Sequence, residues 1–441
     1  MNKIISQKTI TYFIFFFVIF LFFMGFYFNE NSAGAGGYNG DISWILQNIE
    51  IFKYNELQNA IFHKDLFGNR PPLIYILNKL FNPFFYEYEK YRIFVFVLSL
   101  LGPIFIYLNL KKNHPNTNNE LLLLLSSIIL LSPYYRTSAY WALNENYGLI
   151  SAILSLICLN FFLKKIEIEK KINKYFYLTI FFSSLSVYFD QKYLIVTMIC
   201  FFSVVFSKIN IKIKLYAFLT YSFFSIPYLI LIYKWGGIVP VKTQILNPNT
   251  ITSLSRLNQI HLYHLGYAST IISFYLFPLL MLKQSSISKT IRRFFSSKWA
   301  YVIILVPLIY IFLISVYYDF NTYTVDDYWI GLGVVHKSSL ILFSNLKYQE
   351  IFTYITFFFS WIIICLYFEK KITDWLIIIF FFLFSILIWP LMQEYFDPVL
   401  IILGLMAFKT KIKLNYYSIF FIFLYFFSFL VIANVYYLKV L

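Results

Sequence analysis

The chain has 441 residues, of which 60% are hydrophobic and only 13% are charged. Soluble domains are about 45–50% apolar and about 25% charged, so this composition excludes an ordinary soluble protein and indicates a membrane protein. The formal net charge of +16 does not require a nucleic-acid partner, because the basic excess follows the membrane topology. The cysteines lie in apolar stretches, so the sequence predicts neither a disulfide framework nor a zinc site: Cys158, Cys200 and Cys365.

Long apolar runs recur along the whole chain, and a run of about 20 apolar residues can cross a bilayer as a helix. They predict an all-α, polytopic transmembrane protein, with residues 1–441 forming a single integral membrane domain of about thirteen spans. The pairs 175–207 and 375–408 could instead be hairpins that dip into the membrane, and span 9–28 could be a cleaved signal peptide. The predicted spans are 9–28, 92–110, 120–134, 146–163, 175–189, 193–207, 215–233, 264–282, 300–318, 351–368, 375–391, 397–408 and 415–437.

The distribution of basic residues predicts the orientation of these spans. With the N-terminus in the cytoplasm, the predicted inner segments and their boundaries hold 22 of the 36 Lys and Arg residues but only five acids. Inner loops rich in Lys and Arg are typical of the cytoplasmic side, so this distribution predicts a cytoplasmic N-terminus, and we expect the protein to lie in the plasma (inner) membrane. Three long segments then lie outside, and we expect the functional residues there: 29–91, 234–263 and 319–350.

The first outer segment carries the most informative pattern. Asp41 follows Gly40 and precedes residues 42–52, whose apolar side chains share one helical face, as in a juxtamembrane helix lying on the membrane surface. A second amphipathic piece covers 55–63, and the segment then reaches Arg70-Pro71-Pro72-Leu73.

An acid just after the first span, a juxtamembrane helix and a basic residue before Pro-Pro-Leu resemble the GT-C superfamily of membrane glycosyltransferases. The likeness is greatest to the branch with the protein O-mannosyltransferases and the lipid A aminoarabinose transferases. It implies a hexosyl- or pentosyltransferase that takes a sugar from a polyprenyl-phosphate donor. Transfer would be inverting, on the extracytoplasmic side, to a glycan, lipid or protein acceptor. The resemblance also implies that Asp41 is the catalytic carboxylate, Arg70 a donor-phosphate contact and Glu145 a second acid.

These roles agree with the chemistry of the residue types. Transfer to a hydroxyl group needs a base, which a carboxylate supplies, and the departing phosphate needs a fixed positive charge. Arg136 and Lys192 are further candidate phosphate contacts, and Asp190 lies beside Lys192 between two apolar runs. Structural alternatives remain open: Asp41 as a helix N-cap, Arg70 as an interfacial anchor, and 190–192 as an exposed hairpin tip.

His63 and His336 lie on outer segments and are further possible site residues. His261 and His264 are three residues apart, but no third ligand is suitably spaced, so no metal site is assigned. The cofactor therefore stays undefined, with a divalent cation held between Asp41 and Glu145, or by the acids of 319–327, as the open alternative.

Two other functions remain open at the level of sequence. An O-antigen-type polymerase or ligase also has large outer loops, but favours clusters of arginine over an acid in the first loop. A flippase or transporter of lipid-linked sugars would need polar residues near the middle of several spans, and often an internal repeat.

Overall fold

A computed structural model defines the fold, and the statements below concern the residues that it describes. These are 6–33, 40–68, 70–169, 172–207, 209–246, 260–283, 291–292, 295–296, 299–320, 331–368, 372–388, 391–408 and 414–437.

The described secondary structure is helical, as the sequence predicted, and the contacts between helices divide the chain into two compact units. The first is drawn from Met1–Arg256 and Phe426–Val440, the second from Leu257–Tyr425. The single-domain organisation stays a prediction. The α-helices of the first stretch are α1 (Gln7–Tyr27), α2 (Asp41–Tyr54), α3 (Leu57–Ile61), α4 (Leu73–Phe81), α5 (Tyr88–Ser99), α6 (Leu101–Asn113), α7 (Asn119–Ser127), α8 (Pro133–Tyr140), α9 (Glu145–Glu169), α10 (Lys174–Phe189), α11 (Leu194–Val205), α12 (Ile211–Trp235) and α13 (Val241–Leu246).

The remaining α-helices follow, of which the last extends from the second unit into the first. They are α14 (His264–Leu279), α15 (Trp299–Tyr317), α16 (Gly333–Leu342), α17 (Leu346–Tyr367), α18 (Ile372–Leu387), α19 (Val399–Met406) and α20 (Tyr416–Tyr437). Short 3-10 helices occur at Ile128–Leu131, Gln191–Tyr193, Leu280–Leu282 and Gln393–Tyr395.

Eight helices in the described part of the chain are long and apolar enough to cross a membrane. Each of them overlaps one of the predicted spans, and α5 with α6 forms one continuous span over Tyr88–Asn113. A helix of 18 residues rises about 27 Å, close to the thickness of the hydrocarbon core. The eight are Gln7–Tyr27, Tyr88–Asn113, Glu145–Ile166, Ile211–Trp235, His264–Leu282, Ala300–Tyr317, Leu346–Tyr367 and Tyr416–Tyr437.

The count of about thirteen spans is not confirmed. The predicted span 120–134 coincides with a helix pair bent by 71° before Pro133, which would make a ninth span if the pair crosses as one. The other predicted spans that lack a long helix are occupied by α10, α11, α18 and α19, of at most 16 residues. These are the two pairs for which the sequence left a dipping hairpin open.

The first unit has two chemically different ends. Lys164 and Lys165 lie near one end of α9 and Glu145 begins the other, so a rise of 1.5 Å per residue separates them by roughly 30 Å. That separation matches the thickness of a hydrocarbon core. At the lysine end, the Lys164 ammonium donates to Asn113 Oδ1 over 2.9 Å, which joins α9 to the end of α6.

At the Glu145 end, the first predicted outer segment folds into short helices, as its pattern indicated. α2 buries Ile45, Ile49 and Phe52 on one face, while Glu50 and Lys53 are exposed. The Lys79 ammonium of α4 donates to the carbonyls of Phe52, at 2.5 Å, and of Asn55, at 2.7 Å. It therefore caps the C-terminal end of α2 with a positive charge, which the helix dipole favours.

Candidate functional site

The segment before Arg70 is held in place by side chains from two other elements. Asn48 of α2 donates to the Phe67 carbonyl over 2.5 Å and accepts from the Phe67 amide over 3.1 Å. The hydroxyl of Thr243 in α13 accepts a hydrogen bond from the Gly68 amide over 2.9 Å and donates one to the Gly68 carbonyl over 3.1 Å. Because Gly68 has a φ of +136°, which side-chain-bearing residues rarely adopt, this glycine allows the turn toward Arg70.

Arg70 is the centre of a group of charges from three distant parts of the chain. Its Nε donates to Asp190 Oδ2 over 3.2 Å, and its Nη2 donates to Glu145 Oε1. The side chain of Arg70 is 25% exposed, while those of Glu145 and Asp190 are only 12% and 9% exposed. One guanidinium group therefore bridges two largely buried carboxylates, a geometry that the planar fork of arginine allows.

Lys192 adds a second cation to this group. Its ammonium lies 3.7 Å from Asp190 Oδ2, and its side chain is 5% exposed. Asp190 also accepts from the Lys192 amide over 3.0 Å and so caps the short 3-10 helix Gln191–Tyr193. We call Arg70, Glu145, Asp190 and Lys192 the acid–base cluster. The 190–192 turn is thus not the exposed hairpin tip that the sequence left open.

Glu145 also contacts groups other than the cations of the acid–base cluster. It is the first residue of α9, where an acid is favoured by the helix dipole. Ser138 Oγ donates to Glu145 Oε2 over 3.3 Å and accepts from the Asn146 amide over 3.2 Å. The Tyr193 hydroxyl donates to the Glu145 carbonyl over 2.8 Å. One carboxylate oxygen of Glu145 therefore accepts from Ser138 and the other from Arg70.

Asp41 is the first residue of α2, and Gly40 is the N-cap. The alternative of Asp41 as the N-cap residue is therefore wrong. The buried Tyr75 hydroxyl links Asp41 to the cluster electrostatically. Burial raises the pKa of Tyr75 to about 12, the hydrogen bond from Asn48 and the charge of Arg70 oppose this, and the charges of Asp41 and Glu145 add to it. Asp41 and the acid–base cluster thus act on the same buried hydroxyl.

Arg136 has a different set of partners. Its Nε donates to Glu30 Oε1 over 2.8 Å, and its other nitrogens donate to Glu30 Oε2 and to the carbonyls of Leu21 and Leu130. The Arg136 side chain is 2% exposed. A β-carbon at Gly25 would lie within 2.6 Å of atoms of Arg136, Glu30 and Tyr140, so the glycine leaves room for this pair. These contacts make Arg136 a link between α1 and α8, although its predicted role as a phosphate contact stays a prediction.

The two histidines of the predicted site are not part of the acid–base cluster. His63 Nδ1 lies 3.9 Å from Asp65, and both side chains are partly exposed. His336 belongs to α16 in the second unit and is 2% exposed. Burial, and secondarily the charge of Lys337, lowers the pKa of His336 to about 4, so its ring is neutral at pH 7.

No group of three or more His, Cys, Asp or Glu residues in the described ranges could hold a metal ion. Asp326 and Asp327 lie outside those ranges. His264 Nδ1 instead lies 2.9 Å from the Ser385 carbonyl.

Sequence reasoning missed Glu30, Ser138 and Tyr75. Glu30 carries a usable signal in the sequence, since it is an acid directly after the first span. The polar partners Ser138 and Tyr75 carry no sequence signal.

No protein-family model, curated protein or solved structure matches the chain. The site combines carboxylates that can accept a proton, a bidentate cation that suits a phosphate group, and a position at one end of membrane-length helices.

Proposed function

We propose that the chain is a membrane glycosyltransferase that moves a sugar from a polyprenyl-phosphate donor to an extracytoplasmic hydroxyl or amine acceptor. The observation that carries the proposal is the convergence of Arg70, Glu145, Asp190 and Lys192 at one end of α9. Positions 70, 145 and 190 are far apart in the chain. Burying their charges costs free energy, and a buried ion pair often stabilises a fold no better than apolar residues of the same size would.

In the proposed reaction, Asp41 takes the proton from the acceptor as its oxygen or nitrogen attacks the anomeric carbon of the sugar. The bond between that carbon and the phosphate oxygen breaks, and polyprenyl phosphate leaves with the bonding electron pair. Attack opposite to the leaving group inverts the anomeric configuration. The Arg70 guanidinium, with Lys192 beside it, stabilises the negative charge that develops on the phosphate.

The carboxylates of Glu145 and Asp190 both accept hydrogen bonds from the guanidinium of Arg70. A phosphate oxygen can replace either carboxylate oxygen, because both offer a charged acceptor to the same N–H groups. The separation of roughly 30 Å between the cluster and the lysine end supports a site at the membrane surface, where the phosphate of a lipid-linked donor lies.

The test uses the purified full chain, reconstituted with polyprenyl-phosphate-linked hexoses and pentoses as donors. The readout is the release of polyprenyl phosphate in the presence of a mixture of glycan and glycolipid acceptors. Asp41→Asn should abolish release while leaving the protein folded. Arg70→Gln should lower the rate by about a hundredfold or more, the usual loss for one group that stabilises developing charge.

The matched control is Glu87→Gln, because Glu87 is 62% exposed and pairs only with Lys90 in the described structure. It should leave release unchanged. Release at a near wild-type rate by the Asp41→Asn variant would refute the mechanism, and no release from any donor would refute the proposed function.

The extracytoplasmic position of the site rests on the charge distribution, which favours the lysine end of α9 as cytoplasmic. Single cysteines introduced at Lys53 and at Lys165 should respond differently to a membrane-impermeant thiol reagent added to intact cells. Labelling at position 53 alone is the expected result. Labelling at position 165 alone would show that the orientation is the opposite of the proposed one.

A further inference from the structure

A cluster of lysines lies at the end of the first unit opposite the acid–base cluster. We call Lys112, Lys164, Lys165 and Lys174 the lysine cluster; they come from α6, α9 and α10, and all four are exposed. Over residues 111–120 and 164–174 the sequence contains seven lysines against three glutamates, a net charge of +4. Glu120 is buried, and the side chains of Glu167 and Glu169 lie outside the described residues.

A pair of aromatic rings organises the lysine cluster. Phe161 of α9 and Tyr175 of α10 are stacked, with ring centroids 4.9 Å apart. The Lys112 ammonium lies 3.0 Å from the centre of the Phe161 ring. The ammonium groups of Lys165 and Lys174 lie 5.7 and 5.5 Å from the centre of the Tyr175 ring. Cations over aromatic faces are attracted to them, so the two rings gather lysines from three helices into one place.

The positive charge of the lysine cluster affects the neighbouring His114. Burial, and secondarily the charge of Lys164, lowers the pKa of His114, which directly follows α6. In the described structure, Lys112 and Lys174 form no ion pair with a carboxylate. Bringing like charges close together costs free energy, and a bound anion lowers that cost.

The position of the lysine cluster identifies the kind of anion. It lies at the ends of α6 and α9, which belong to helices long and apolar enough to cross a membrane, so we expect it at the depth of lipid headgroups. Basic pockets between transmembrane helices at this depth suit anionic lipids. We propose that the lysine cluster binds the headgroup phosphate of an anionic phospholipid, with the acyl chains lying against the adjoining helices. This interaction does not depend on the proposed enzymatic function.

The test is native mass spectrometry of the full chain in detergent with equal amounts of phosphatidylglycerol and phosphatidylcholine. The wild type should retain phosphatidylglycerol preferentially. Lys112→Gln and Lys174→Gln should each lower the ratio of phosphatidylglycerol to phosphatidylcholine adducts by about fivefold, the effect of one lysine near an anionic membrane surface. The Lys→Arg versions keep the charge and should restore the ratio, which separates loss of binding from misfolding.

Lys53→Gln is the matched control, because the Lys53 ammonium also lies over a tyrosine ring, 5.4 Å from the centre of Tyr54, but on α2. It should leave the adduct ratio unchanged. An equal loss in the Lys53 variant, or an unchanged ratio in the variants of Lys112 and Lys174, would overturn the proposal. Displacement of phosphatidylglycerol by millimolar inorganic phosphate would assign the site to a free anion and overturn the choice of a lipid.

Discussion

Replacing Arg70 by Gln should destabilise the protein, because it removes the cation that two largely buried carboxylates share. Glu145 and Asp190 are 12% and 9% exposed, and the Lys192 ammonium lies 3.7 Å from Asp190. Removing one partner of a buried ion pair costs about 3–5 kcal/mol. The Arg70 side chain is itself 25% exposed, so we expect a loss near the lower limit, about 3 kcal/mol.

Arg70→Lys should be less damaging than Arg70→Gln. It keeps the charge, but a single ammonium group cannot reproduce the fork that bonds Glu145 and Asp190 together. The expected loss is about 1.5 kcal/mol, the contribution of one hydrogen bond to a charged group. The measurement is the denaturant dependence of tryptophan fluorescence for protein in detergent, compared among the wild type and both variants.

The double variant Arg70→Gln with Glu145→Gln provides the internal check. Once Glu145 is neutral, the absence of Arg70 no longer leaves that carboxylate uncompensated. The double variant should therefore be more stable than the sum of the two single losses indicates, by about 1–3 kcal/mol. An Arg70→Gln variant within about 0.5 kcal/mol of the wild type, the range of an ordinary surface substitution, would show that the cluster does not form in the native protein.

Three further predictions follow from other buried charges and hydroxyls. Glu30→Gln leaves Arg136 buried without its anion and should cost about 3 kcal/mol in the same assay, whereas the exposed Glu87→Gln should cost under about 0.5 kcal/mol. Folding lowers the pKa of His336 from 6.5 to about 4, so the folded protein favours the neutral ring. Stability should therefore decline from pH 6.5 toward pH 4, and the decline should be less steep in His336→Gln. Folding raises the pKa of Tyr75 from 10.0 to about 12, so the folded protein favours the neutral hydroxyl. Stability should therefore fall between pH 10 and 12, and Tyr75→Phe should reduce this loss.

The long spans were predictable because hydropathy and length act together over 18 residues or more. The shorter helices were not, since an apolar stretch of 12–16 residues is compatible with a span, a dipping hairpin or a buried core helix. In the structure, α10 packs against α9 and buries Ser183, Ser184 and Ser186. Such a polar face indicates a helix packed against other helices, but a simple count of apolar residues does not detect it.

The members of the site were more predictable than their pairing. Charged residues next to apolar runs are few, so Arg70, Glu145 and Lys192 could be selected as candidates from the sequence. Nothing in the local sequence shows that Asp190 pairs with Arg70 rather than with Arg136. That pairing depends on how α8, α9 and α10 pack. The same packing lets Arg136 form its ion pair with Glu30, which lies 106 residues away in the chain.

The most specific consequence of the proposed function concerns Asp190. If donor phosphate competes with Asp190 for the Arg70 Nε, removing the charge of Asp190 should strengthen the binding of polyprenyl phosphate. Asp190→Asn suits this test, because its side-chain oxygen can still accept from the Lys192 amide and cap the 3-10 helix. Releasing one hydrogen bond to a charged group, about 1.5 kcal/mol, corresponds to about tenfold tighter binding.

The measurement is equilibrium binding of radiolabelled polyprenyl phosphate to the purified full chain. Asp65→Asn is the control, since Asp65 is 44% exposed and pairs with Lys242 at 3.6 Å, outside the acid–base cluster. It should leave the affinity unchanged. If Asp190→Asn binds the lipid phosphate more weakly than the wild type, Asp190 supports the bound phosphate by holding Arg70 and Lys192 in place instead of competing with it. If the affinity does not change at all, Arg70 is not the group that binds the phosphate, and the assignment of the donor site to the acid–base cluster fails.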